Sequence, residues 1–182
     1  MSTSLRGEIM NNMKMLAQMG LLLGIIFILS LIESLLPPIP FLPPFVRLGL
    51  GNIAVMFCAI NVGKRNALVL VILKSLFVLF TRGPVASILS LGGGLISVVF
   101  LILLISYHNE KYLSITALSI LTAIMHNLGQ LFTSAFILNI DGILYFLPLS
   151  LLFGIIMGFL TGTILRIVLP IIHIQVLNST QD

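Results

Sequence analysis

The sequence predicts an all-α membrane protein: a six-transmembrane-helix bundle forming one integral membrane domain over residues 1–182. Three observations carry this. Mean hydropathy is +1.23. Hydrophobic residues make up 59% of the chain and charged residues 8%, against roughly 25% charged in soluble domains, which must cover themselves with polar groups. The apolar residues also fall into six long runs, and the cations lie mostly in the breaks between them. The net charge of +4 is scattered rather than gathered into a patch, so it argues for membrane topology and against nucleic acid. A lone cysteine, Cys58, permits no internal disulfide.

With about 20 apolar residues needed per span, the first element is Met15–Leu36. Arg6 and Lys14 precede it as in a signal peptide. The apolar run is too long for a signal and lacks a small-residue cleavage site, so it reads as an uncleaved anchor. Next comes an external segment, Leu35 to Phe45, with five prolines, which cannot continue a helix and stiffen the chain. It is either a connector on the lipid interface or a lid over an outward-facing pocket.

The remaining spans are Val46–Val62, Ala67–Phe80, Val85–Ser106, Tyr112–Leu138 and Ile143–Val168. The third is short and is either accommodated by its neighbours or continues into Thr81-Arg82. Span four carries Ser87, Ser90, Gly94 and Ser97 on one face, with Gly92-Gly93-Gly94 as an expected weak point. Span six has Ser150, Gly154, Gly158 and Gly162 at four-residue spacing, a small-residue ridge on which another helix can pack closely. Cation bias sets the orientation. With both termini cytoplasmic, Arg6, Lys14, Lys64, Arg65, Lys111 and Arg166 lie inside, and only Arg47 and Arg82 lie outside. External connections are then expected at Pro37–Phe45, Thr81–Pro84 and Asn139–Gly142.

Lys74 is the first pointer to a site. A cation in mid-span costs roughly 2.5–3.5 kcal/mol on insertion scales and needs a partner, a cavity or a ligand. Glu33 is one candidate partner. On span five, Ser119, Thr122, His126, Gln130 and Thr133 recur every three or four residues as one polar stripe, flanked by Asn127 and Ser134. A stripe facing lipid would leave its groups unsatisfied. Arg47, Asn52, Lys74, Arg82, His126, Asn127 and Gln130 are therefore the candidate substrate-binding residues. Around Glu33, the cations Arg47, Lys74 and Arg82 leave a positive excess, which suits an anionic or strongly polarised small molecule.

The chemistry of an enzyme is not legible. The acids Glu8, Glu33, Glu110, Asp141 and Asp182 form no neighbouring pair for Mg²⁺ or for split acid and base roles. No GxxxxGK[ST] phosphate loop is present. His108, His126 and His173 have no metal-ligand spacing. Neither a cofactor nor a metal is expected.

The six short spans, the Pro-rich loop followed by Arg47-Leu48-Gly49-Leu50-Gly51-Asn52-Ile53, and Lys64-Arg65-Asn66-Ala67 after span two resemble the Gx transporter family. That family is also labelled heptaprenyl diphosphate synthase component I. It is similar to the substrate-binding S-components of energy-coupling factor (ECF) transporters. The resemblance covers nearly the whole chain. It implies a multi-pass subunit of the bacterial cell membrane that captures a vitamin- or micronutrient-like molecule from outside. It also implies docking on a transmembrane coupling protein driven by two ATPase subunits, with ATP hydrolysed in trans. S-components dock through small residues on the first helix, commonly alanines. Ala17, Gly20 and Gly24 are the nearest match here and depart from that pattern. The synthase label finds no aspartate-rich motif to support it. An alternative class remains open, a non-catalytic accessory subunit in isoprenoid, quinone or flavin-linked metabolism.

Overall fold

The computed structural model describes residues 3–35, 49–107, 114–138 and 142–178, with side chains for 8–10, 12–35, 49–106, 114–138 and 142–169. These residues form six α-helices and no strand: α1 Thr3–Leu35, α2 Asn52–Asn61, α3 Lys64–Arg82, α4 Pro84–Tyr107, α5 Ile115–Leu138 and α6 Leu147–Asn178. A single 3₁₀ turn, Ile143–Phe146, leads into α6. In α1, α4, α5 and α6 the apolar stretches are long enough to cross a membrane.

Expected and observed elements differ in three instructive places. The second span is much shorter than Val46–Val62. Its helix begins at Asn52 and has 10 residues, a rise of about 15 Å, half of a hydrocarbon core. Gly49, at φ +73°, turns the chain there, and Asn52 N donates to Gly49 O at 2.8 Å. Between spans three and four the expected loop Thr81–Pro84 shrinks to one residue. Thr81 and Arg82 complete α3, Pro84 opens α4, and Gly83 makes the corner at φ +89°. Proline suits that first helical position because its missing N–H has no partner to lose. Finally, Gly92-Gly93-Gly94 does not weaken α4, which runs unbroken through it.

Those glycines are a crossing point instead. A Cβ at Gly92 would collide with Thr133 Oγ1, and one at Gly93 would come within 2.8 Å of the His126 carbonyl oxygen. α4 and α5 thus meet backbone to backbone. On the other face of α5, the ridge of α6 repeats the device. Added Cβ atoms at Gly154, Gly158 and Gly162 would press on the backbones of Ile124, Ile120 and Thr116. Ser119 and Thr161 close this seam with a 2.8 Å hydrogen bond between their hydroxyls. The ridge on α6 is therefore internal packing.

α1 is different. It leans on α2 and α3 through Leu22 and Ile26, while Leu16, Leu21, Ile28 and Leu31 stay exposed. A Cβ at Gly20 or Gly24 would meet nothing within 4 Å. The core lies around α2, where Ala54, Val55, Cys58, Leu70, Val98 and Leu101 are buried together. Cys58 sits with its sulfur 3.8 Å from that of Met19.

Close helix approach at α5 and α6, against open space on α1, gives a direct comparison. Gly158→Val should destabilise the protein by about 1–3 kcal/mol through overpacking, read as a lower midpoint of thermal unfolding in detergent. Gly20→Val should change it by no more than about 0.5 kcal/mol. Equal losses at the two positions would contradict this packing.

Candidate functional site

A cavity of about 310 Å³ opens at the end of the bundle where α1 and α3 finish and α4 begins. Its polar lining comes from Ser30 and Glu33 of α1, Lys74 and Arg82 of α3, Ser90 of α4, and His126 and Gln130 of α5. Val78, Val85, Ala86, Leu89 and Leu138 supply the apolar wall. Helical spacing explains the convergence. Lys74, Val78 and Arg82 follow one another at four-residue steps, as do His126 and Gln130, so each set shares one face.

The floor is built by the turn before α2. Lys74, only 5% exposed, donates from Nζ to Asn52 Oδ1 at 2.7 Å. Glu33, 4% exposed, accepts the Gly49 backbone N–H on Oε1 at 2.9 Å. Among the described residues, Lys74 and Glu33 do not come within 4 Å of each other as an ion pair. Each charge is held by a neutral group. Gly51 packs against Lys74 and Ser30: a Cβ there would touch both Lys74 Cε and Ser30 Oγ at 3.4 Å.

Around this floor, Arg82 donates from Nη2 to the Ser30 carbonyl at 2.8 Å, tying α3 to α1. The Ser30 hydroxyl itself is buried with no hydrogen-bond partner. Gln130 Nε2 lies 3.1 Å from His126 Nε2. The ring's part in that contact depends on its tautomer, and the other ring nitrogen, Nδ1, is buried. That nitrogen meets no hydrogen-bond partner, and the Gly93 backbone lies against the ring.

Behind His126 lies a second cavity of about 20 Å³, between α2, α5 and α6, room for a single water. It shares Gly49 and His126 with the first cavity and is otherwise lined by Asn52, Thr122, Asn127 and Thr161, among others.

The family model for heptaprenyl diphosphate synthase component I matches residues 22–168. The chain belongs to this family. No curated protein matches it. Among solved structures, the chain is similar to one described as "Structure and mechanism of the S component of a bacterial ECF transporter", with a TM-score of 0.63 and 21% identity. That likeness covers 94% of this chain and 99% of the other. At this identity it carries the fold: an all-helical, multi-pass membrane bundle of S-component type.

Within this family fold, the cavity gathers Lys74, Arg82, His126 and Gln130 from the residues expected on sequence grounds. Asn52 supports Lys74 and faces the smaller cavity. Asn127 lines the smaller cavity and not the main one. It turns away from the main cavity, and its Nδ2 donates to the Ser150 carbonyl of α6 at 3.1 Å, so it fastens two helices together. One step beyond His126 rotates a side chain about 100° around the helix, which is enough to change partner. Of the two alternatives open for Lys74, a direct bond to Glu33 is not the one seen: Asn52 takes the ammonium and the Gly49 N–H is taken by the carboxylate. Arg47 and the Pro-rich segment expected as a connector or lid lie outside the described residues.

Sequence reasoning did not place Ser30, Gly49 or Ser90 in the site, and it read Glu33 only as an ion-pair partner. One signal was available. Ser30 and Glu33 are three residues apart at the end of the long apolar run of α1, hence on one face.

The Lys74–Asn52 bond implies a strong coupling. Asn52→Leu leaves a buried ammonium without its acceptor and should cost about 1–3 kcal/mol. Adding Lys74→Met should recover most of that loss in a double-mutant cycle read by thermal unfolding. Strictly additive effects would show that the two side chains do not support one another.

Proposed function

We propose that the chain is the substrate-binding membrane subunit of an ECF-type importer, taking up a small anionic or polar molecule of micronutrient size. The observation that carries the reading is the 310 Å³ cavity with Lys74, Arg82 and Glu33 on its walls. That volume falls at the small end of the range for ligand sites, and such sites combine a largely apolar wall with a few placed polar groups. Groups this costly in hydrocarbon mark substrate pathways in membrane proteins.

Position supports capture from outside. The cavity is bordered by the C-terminal ends of α1 and α3 and the N-terminal end of α4. With the N-terminus cytoplasmic, as the cation bias favours, all three ends lie on the external side. Substrate then enters from outside and needs an energy source on the other face. The sequence carries no phosphate loop of its own, so ATP hydrolysis falls to partner subunits.

The small-residue face of α1 suits docking on a coupling protein. Ala17 and Gly20 are exposed, and space lies open above Gly20 and Gly24. In a bilayer, small residues let a partner helix come close enough for dispersion and weak polar contacts to hold it. The same reading makes the subunit non-catalytic. Among the described residues, Glu33 is the single acid on the cavity wall, whereas a diphosphate with its Mg²⁺ ions needs several carboxylates.

Purification of the tagged full chain from its native membrane tests this. Wild type should bring down a transmembrane coupling protein and two ATPases, and Gly24→Leu should reduce their yield about tenfold or more at equal expression. Recovery of a prenyl synthase in their place would favour the accessory-subunit reading and sink this one.

A further inference from the structure

Lys74 and Glu33 face one cavity, yet among the described residues neither touches an opposite charge. Two opposite charges in one small low-dielectric space attract strongly, and a direct ion pair would be their simplest arrangement. Here each is instead held off by a neutral group, Asn52 for the ammonium and the Gly49 N–H for the carboxylate. An ammonium has three donors and a carboxylate several acceptor positions, so a single bond to each leaves most of their capacity unmet. The Ser30 hydroxyl, 5% exposed and without a hydrogen-bond partner, lines the same cavity. It stands beside Lys74, since one methyl at Gly51 would touch both.

We propose that the ligand of this cavity is a small amphipathic molecule carrying an anionic group and, a few ångströms away, an N–H donor or cationic amine. The anion sits on Lys74 and the Ser30 hydroxyl. The donor completes the carboxylate of Glu33. The ligand's apolar body lies against Val78, Val85 and Leu89. This deepens the substrate-capture reading above and rests on it.

Selectivity follows from the signs. A plain anion gains Lys74 but is repelled by Glu33 and leaves that carboxylate unpaired, and a plain cation has the reverse difficulty. Only a molecule with both poles satisfies both walls, and a buried polar group left unpaired discriminates strongly between otherwise similar ligands. Glu33 is thus the specificity-determining residue.

Three probes of near-identical size separate the cases: 4-(aminomethyl)benzoate with both poles, 4-methylbenzoate with the anion alone, and 4-methylbenzylamine with the cation alone. Their affinities are measured on purified full-length protein in nanodiscs. Wild type should favour 4-(aminomethyl)benzoate over either single-pole probe by about tenfold or more. Glu33→Gln, which keeps an acceptor for the Gly49 N–H, should reduce that preference to about threefold or less and tighten 4-methylbenzoate. Lys74→Met should abolish binding of both acids. The inference is overturned if 4-methylbenzoate binds wild type as well as the two-pole probe does, or if Glu33→Gln leaves the ratio unchanged. It is also overturned if none of the probes binds. Substrate capture survives those outcomes only if wild type still retains a small molecule through purification, as mass spectrometry would detect. Without one, both readings fail.

Discussion

The hydrogen bond from Lys74 to Asn52 is the constraint around which this bundle is arranged. An ammonium cannot be left in hydrocarbon, and water or a nearby carboxylate is the usual remedy. Here the acceptor is the first residue of a ten-residue helix. For Asn52 to reach Lys74, α2 has to begin deep in the bundle, and the chain must turn sharply just before it. Gly49 makes that turn at φ +73°, where a side chain is disfavoured. Its backbone N–H is then taken up by Glu33. Two charges, one amide and one glycine form a single polar floor, and the cavity stands on it.

The walls depend on a separate device. α4, α5 and α6 approach at glycines, with Gly92 and Gly93 on one side of α5 and Gly154, Gly158 and Gly162 facing the other. Close approach brings polar side chains of neighbouring helices within reach. His126 and Gln130 pair along the cavity face, while Asn127 and Ser119 bond to α6 behind it. α5 is thereby fixed in rotation, with one edge of its polar stripe committed to the cavity and the other to packing. α1 takes no part in these crossings, and its small-residue face stays open.

Much of this was legible in the sequence. Hydropathy and cation spacing gave the helical membrane bundle, the cost of Lys74 pointed to the site, and the period of α5 put His126 and Gln130 on one face. What escaped has physical causes. Hydropathy cannot distinguish a full span from an apolar loop leading into half a helix, so α2 was read as too long. Helical periodicity gives faces but not which neighbour each face meets, so Asn127 was grouped with His126 although it serves α6. Charge counting pairs Lys74 with Glu33 by sign alone. Only the three-dimensional arrangement shows a neutral amide taking the ammonium and a backbone N–H taking the carboxylate.

The central claim is that these two buried charges are kept apart for a ligand rather than for the fold. Native mass spectrometry of the protein released from nanodiscs, comparing wild type with the Lys74→Met, Glu33→Gln double variant, tests it most directly. The account predicts a retained small-molecule mass on wild type that is lost from the double variant, while the double variant still folds cooperatively with a midpoint lowered by the loss of the Lys74–Asn52 bond. An unfolded double variant, or a stable one that keeps the same bound mass, would contradict it.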